Sequence, residues 1–301
     1  MAKDGRITFL APAKINLYLK VRGRRPDGYH ELDSVLARLE LSDRINLTLT
    51  PGRLEDGLVS ATTLPTALPP DFNDPGNLAL KAVRAFRERA GWPEAGVDLF
   101  IEKNIPLGAG LGGGSSNGAA VLTALNQMAP SPLRSEALAE LGLSLGADVP
   151  FFLQPRPLAQ AAGVGEKLTA APKSFRDWAG KALTLVNPGF HLSTALVFQN
   201  LGLTNRPPHN NLGRMSHEPS PPLPGENDLL PPARKLAPAL AQTASVIEGL
   251  KPEFWGLSGS GPTFWFCAPE GLGPSDRDGF DPGWWVCETK IRNFTGASSS
   301  G

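Results

Sequence analysis

The 301-residue chain carries 29 Lys plus Arg against 29 Asp plus Glu, and at about twice the length of a typical domain it is expected to form two. Zero formal net charge argues against whole-surface attraction to nucleic acid or anionic membrane, while 41% apolar residues suffice for a sizeable core. Two cysteines, Cys267 and Cys287, rule out a disulfide framework and fit reduced thiols in a cytoplasmic setting; no apolar run is long enough to span a membrane, and MAKDGRITFL lacks an export core.

Ile7 and Phe9, then Ile15, Leu17, Leu19 and Val21, alternate as strand residues do, with a bend or bulge expected at Pro12. LDSVLARLELSDRINLTLT alternates again, and a Pro-, Thr- and Gly-rich stretch over 51–76 reads as loop. Leu78, Ala82, Ala85, Phe86 and Arg89 follow helical spacing, with Asn77 as cap and Gly91 as stop. Val97, Leu99 and Ile101 form a strand that leads into a glycine-rich segment and a helix; SEALAELGLSLG predicts another helix, followed by ADVPFFL. Beyond Pro155, LTLVNPGF predicts a strand and STALVFQNL a helix. Eight prolines in 204–232 mark a surface insertion. ARKLAPALAQTASVIEGLK reads as a helix broken near Pro238, FWGLSGSGPTFWFC as a glycine turn entering a strand, WWVCETKI as a last strand, and 294–301 as a disordered tail. Strands and helices mix without strict βαβ alternation, so the fold class is α+β. The boundary is expected near residue 156, with domains over 1–156 and 157–293.

GAGLGGG followed by Ser115, Ser116 and Asn117 and then a helix places unhindered backbone N–H groups at a helix N-terminus, where the helix dipole favours an anion. The segment therefore reads as a phosphate cradle. A Walker loop needs Lys before the Ser, and Gly114 stands there. Gly108, Gly110 and Gly113 satisfy GxGxxG, but strand, loop, helix, helix is the wrong order for a dinucleotide fold. HRD and DFG segments of protein kinases are absent.

PLGAGLGGGSSNGAAVLTALN resembles the phosphate-binding motif of the GHMP kinases. APAKINLYLKVRGRRPDGYHELDSV resembles the first motif of the branch that serves the methylerythritol route to isoprenoid precursors, and GLSGSGPTFWF resembles the third, glycine-containing motif. LGADVPFF, AGVGEKL and NPGFHLSTALVF extend the similarity over nearly all of residues 7–290. The resemblance implies two α+β lobes with the active site in the cleft between them, ATP and Mg²⁺ as cofactors, and phosphorylation of a small cytidyl alcohol. It matches Lys14 and Asp148 to the catalytic pair and Asn16 to a substrate-contacting amide. Tyr29 and Phe198 match aromatics that sandwich the cytosine, His30 the group that reads its edge, and Thr194 and the backbone around Val164 complete that side. Pro106, Gly108, Ala109, Gly110, Leu111, Gly112, Gly113, Gly114, Ser115 and Ser116 match the nucleotide loop; Asn77, Lys103 and Asn117 match the nucleoside side of ATP. Ser258, Gly259, Ser260 and Gly261 form the third motif. Ser116 is a candidate magnesium ligand, the metal ligands being otherwise open, as is the oligomeric state.

Phosphoryl transfer needs positioning and charge neutralisation more than covalent help, which fits an amide cradle, a lysine and one carboxylate that is either base or orienting group. Taken singly, Lys14 reads as an exposed strand lysine, Asp148 as a helix cap, His30 as a solvated turn residue, Phe198 as core and the SGSG run as a hairpin turn. The order of the three motifs favours the functional reading over these. A homoserine or mevalonate-type kinase, and a catalytically silent nucleotide-binding protein, are the competing readings; DGYH argues against the first and the presence of both Lys14 and Asp148 against the second. His191, His209 and His217 have no metal-ligand spacing and receive no role. Gly118, Ala161-Ala162 and the length of the insertion depart from the family's usual pattern.

Overall fold

The computed structural model describes residues 6–202, 222–267 and 279–294. His209, His217, the insertion through residue 221 and all of the tail but Phe294 lie outside them. In chain order the elements are β1 (Arg6–Arg24), β2 (His30–Thr50), β3 (Gly57–Thr62), α1 (Leu78–Ala90), β4 (Gly96–Lys103), α2 (Gly113–Met128), α3 (Ser135–Leu145), α4 (Val149–Leu153), β5 (Leu158–Gly163) and β6 (Lys167–Ala170). They continue with α5 (Lys173–Arg176), β7 (Ala182–Asn187), α6 (Thr194–Gln199), α7 (Leu230–Leu236), α8 (Ala239–Gly249), β8 (Phe254–Leu257), β9 (Phe264–Cys267) and β10 (Trp285–Lys290). The mixture is α+β. Two compact units emerge, one from Met1–Ala13, Leu41–Leu107 and Gly112–Pro155, the other from Lys14–Glu40, Gly108–Leu111 and Arg156–Gly301. Arg156 opens the longest segment of the second unit, yet that unit also claims two earlier stretches, so the units alternate along the chain.

In the first unit, β4 pairs antiparallel with the Arg44–Thr50 half of β2 and parallel with β3. Ile45, Leu47, Val97, Leu99 and Ile101 are buried at alternate positions, while Phe100 between them is exposed, the pattern of a sheet covered on one face. α1 begins where the Asn77 side chain accepts the Ala79 N–H at 2.9 Å and ends at Gly91. It buries Leu80, Val83 and Phe86. α2 buries Val121, Leu122 and Leu125, and at Gly118 a Cβ would stand 3.3 Å from Leu78 Cγ, so the departure from alanine there sits where α2 lies close to the start of α1.

In the second unit, the Leu32–Ala37 half of β2 pairs with β5, which pairs with β6. A separate antiparallel sheet runs β10-β7-β9-β8. Its core gathers Val186, Phe264 and Phe266 from strands with Leu240, Ala244 and Ile247 of α8 and Leu19 of β1. Residues 225–228 run alongside β1, through Gly225 N–H to Leu17 O at 2.8 Å, Leu19 N–H to Glu226 O at 2.9 Å and Asp228 N–H to Leu19 O at 3.0 Å.

Three features differ from expectation. β1 passes through Pro12 as one continuous strand, and among the named strands its partner is β2. β3 and a 3-10 turn at Pro70–Asn73 occupy the stretch read as loop. β5 and β6 had no signal, because LAQAAG is rich in alanine, which strands disfavour; pairing with β2 holds it extended.

Candidate active site

Lys14 is the residue for which burial speaks first: its side chain is buried rather than exposed, with Nζ donating to Asn16 Oδ1 at 2.8 Å. Asn16 Nδ2 donates to Ser34 Oγ at 2.8 Å, and that hydroxyl donates to Tyr18 O at 2.6 Å. β1 presents this row because Lys14, Asn16 and Tyr18 share one side of an extended chain. Lys14 N–H donates to Leu111 O at 2.9 Å, which ties the first motif to Gly108–Leu111 of the glycine loop. A lysine so enclosed is uncommon unless partnered, so the exposed-strand reading falls.

The third motif docks on the same segment. Ser258 Oγ donates to Gly110 O at 2.9 Å, and the Gly261 N–H closes a turn onto Ser258 O at 2.9 Å. Gly110 has φ +75°, and a Cβ there would collide with the Ser258 carbonyl oxygen and stand 3.0 Å from Gly261 O, so only glycine fits. A Cβ at Gly259 would lie 3.5 Å from Lys14 Nζ, which puts the SGSG turn beside the lysine. Ser260 Oγ meets Thr194 Oγ1 at 2.7 Å. Thus Lys14, Asn16, Gly108–Leu111, Thr194 and Ser258–Gly261 are one constellation within the second unit.

Asp148 belongs to the first unit, immediately before α4, and its carboxylate makes no capping bond to that helix. α2 opens after Gly112, with Ser116 N–H on Gly112 O at 2.9 Å. Ser116 Oγ is buried and without a hydrogen-bond partner among the described residues. The residues matched to the nucleoside side are engaged structurally. Asn77 caps α1 and donates to Phe72 O at 2.8 Å. Lys103, 1% exposed, pairs with Asp43, 0% exposed, and Asn117 Nδ2 donates to the same carboxylate at 2.9 Å. Asp43 also accepts the N–H groups of Asn104 at 2.8 Å and Ile105 at 3.0 Å, the two residues that follow β4 toward the glycine loop.

A cavity of about 650 Å³ is lined by Tyr29, His30, Val164, Thr194 and Phe198 together with Arg24. Every second-unit residue matched to cytosine recognition meets there. The rings that stack are His30 and Phe198, with centroids 4.8 Å apart and planes 26° apart, while Tyr29 stands 65% exposed beside them. The His30 ring is held below its ordinary pKa, by burial first and by Arg24 second, which keeps it neutral at pH 7. The Val164 N–H donates to Glu166 Oε2 at 2.6 Å, so of that backbone the carbonyl is left for a ligand. Asn16 lies outside this cavity, in the Lys14 row.

The sequence alone singles out neither Asp43 nor Asn227, and it gives His191 no role. Asn227 is the plainest omission: its Nδ2 donates to Leu257 O and Gly259 O, both at 2.8 Å, and its Oδ1 accepts the Leu229 N–H at 2.8 Å. The asparagine in a GEND turn is a local signal of a side chain bonding backbone, but nothing in the sequence says which turn it braces.

Residues 77–155 match the model of the GHMP kinases N terminal domain, which defines the class to which this fold and glycine loop belong. A solved homoserine kinase from Cytophaga hutchinsonii has a TM-score of 0.68 at 17% identity, covering 97% of this chain and 96% of that one, and so shares the fold. Two similar curated relatives are 4-diphosphocytidyl-2-C-methyl-D-erythritol kinases. That of Mesorhizobium japonicum is 40% identical, covering 86% of this chain and 85% of the relative; that of Sinorhizobium medicae is 36% identical, covering 96% and 97%. A crystal structure of 4-(cytidine 5'-diphospho)-2C-methyl-D-erythritol kinase superposes with a TM-score of 0.68 at 34% identity, over 94% of this chain and 99% of that one. The chain belongs to the 4-diphosphocytidyl-2-C-methyl-D-erythritol kinase family of the GHMP kinases.

Proposed function

We propose that the chain transfers the γ-phosphoryl group of ATP to the 2-hydroxyl of 4-diphosphocytidyl-2-C-methyl-D-erythritol, giving the 2-phosphate and ADP for isoprenoid precursor synthesis. The observation that carries this reading is the cavity in which Tyr29, His30, Val164, Thr194 and Phe198 converge, an aromatic-lined space of ligand size that homoserine or mevalonate would not need. A pyrimidine entering between Tyr29 and Phe198 displaces the His30 ring from Phe198, and the neutral imidazole then has an acceptor for the exocyclic amine. Stacking holds the base and this edge contact selects it.

In this reading the amides of Gly108–Ser116 cradle the ATP phosphates. Lys14, steadied by Asn16, neutralises charge that develops near the transferred group, and Asp148 accepts or orients the hydroxyl proton of the alcohol. Magnesium fits the residues present. It takes one or two protein oxygens alongside phosphate and water, and the buried, unpartnered Ser116 hydroxyl in the first turn of α2 is such an oxygen. Bound there, the ion supplies neutralisation of the phosphate oxygens.

A coupled assay of ADP release tests the reading with the cytidyl alcohol, homoserine and mevalonate offered separately. Turnover with the first alone is expected; turnover with either of the others and none with the first overturns it. Asp148→Asn is expected to lower kcat by about 10²- to 10⁴-fold with ATP binding preserved, and undiminished kcat removes Asp148 from the chemistry.

A further inference from the structure

The imidazole of His191 lies against the opening glycine of the phosphate loop. A Cβ on Gly108 would collide with His191 Cδ2 and stand 3.1 Å from Nε2 and 3.6 Å from Cγ, so the Cδ2–Nε2 edge is the one turned to the loop. Gly108 and His191 belong to the same compact unit, and His191 follows β7 by four residues in the segment that leads to α6 and Thr194. The residue is exposed, and its side chain has no hydrogen-bond or ion-pair partner among the described residues. The lysines near the loop are differently employed. Lys14 Nζ is enclosed and bonded to Asn16, and Lys103 Nζ, 3.3 Å from where a Gly113 Cβ would be, is paired with the Asp43 carboxylate. A polyphosphate on this loop therefore meets an accessible ring nitrogen at Gly108 in addition to amides. Gly108 is also explained: any side chain there would push the ring off the loop.

We propose that His191 is a phosphate-binding residue that donates from Nε2 to the triphosphate of ATP at the Gly108 end of the loop. The assignment rests on the ATP site described above and adds to it a side chain that reads the nucleotide's phosphates and not its base. A hydrogen bond to a charged oxygen lost by truncation corresponds to about a tenfold weakening.

Direct binding measurements on the full chain test this independently of turnover, with a non-hydrolysable ATP analogue and adenosine as the two ligands. For His191→Ala, Kd for the analogue is expected to rise about tenfold while Kd for adenosine and the melting temperature stay unchanged; His191→Gln, which retains a donor, is expected to recover part of the loss. In steady state the KM for ATP rises and that for the cytidyl alcohol does not. Unchanged affinity for the analogue, an equal loss for adenosine, or a rise confined to the cytidyl KM each overturns the assignment. Wild-type protein that binds the analogue but phosphorylates none of the alcohols would sink the proposed reaction and leave the His191 assignment to be decided by the binding data; wild-type protein that binds neither ligand overturns both.

Discussion

Asp43 illustrates how one side chain can fix the approach to a loop it never enters. Its carboxylate is fully buried and takes bonds from the Lys103 ammonium, the Asn117 amide and two successive backbone N–H groups at the exit of β4. Replacing it with Asn leaves a buried ammonium without its counter-charge, and breaking such a pair costs about 3–5 kcal/mol. Asp43→Asn should therefore lose stability of that order in urea unfolding; a loss below about 1 kcal/mol would mean that the pair is dispensable. His30 gives the second residue-scale prediction. Its folded pKa lies below the ordinary 6.5 because of burial and Arg24. The unfolded chain therefore takes up the proton first, and the neutral ring's contribution is present above pH 6.5 and lost as pH falls from there through the folded pKa. If neutral His30 accepts from the cytosine amine, the KM for the cytidyl alcohol is flat at neutral pH and rises only as pH falls through the lowered folded pKa of the ring. His30→Gln should flatten the acid limb, and an identical limb in that variant assigns it to another group.

At the level of elements, the glycine loop and the SGSG turn behave as one joint, because the Gly110 carbonyl is held by Ser258 and its Cα faces the Ser258 carbonyl. Gly110→Ala places a side chain at φ +75° and against backbone that cannot retreat as a flexible side chain would. Backbone strain alone is about 1–3 kcal/mol, so we expect a comparable loss of stability and a drop in kcat/KM for ATP of tenfold or more, about 1.4 kcal/mol; a variant with wild-type stability and kinetics would show that the turns can part. Much at this scale was legible in the sequence where the cause is local. Asn77 and Gly91 bracket α1 because a cap and a stop act on their own turn, and Pro238 separates α7 from α8 for the same reason. β5 was illegible because its alanines carry no strand preference and only the β2 ladder holds them. The motif residues were legible through the resemblance, but their surroundings were not: nothing in the spacing of Asp43 and Lys103, or of Gly108 and His191, announces that these pairs meet.

Across the whole molecule, the division of β1 and β2 between the two units makes the chain's connectivity part of its stability. Lys14–Glu40 supplies the second unit with Leu19 for its apolar core, with the β2 partner of β5, and with the strand on which Gly225–Asp228 aligns. A fragment beginning at Arg156 would therefore keep the β10-β7-β9-β8 sheet in sequence while lacking the partner of β5 and the side chain that fills its core at Leu19. A buried leucine truncated to alanine costs about 2–5 kcal/mol in a domain, a large share of the roughly 5–15 kcal/mol by which domains are stable, and here a whole strand is removed. Residues 156–301 produced alone are thus expected to show no cooperative thermal transition by circular dichroism. Fusing residues 14–40 to their N-terminus through a flexible linker should restore part of the transition, since it returns the missing strand halves. A cooperative transition in the unfused fragment would show that the second unit folds from its long segment alone and that the interleaving of the chain serves the site instead of the fold.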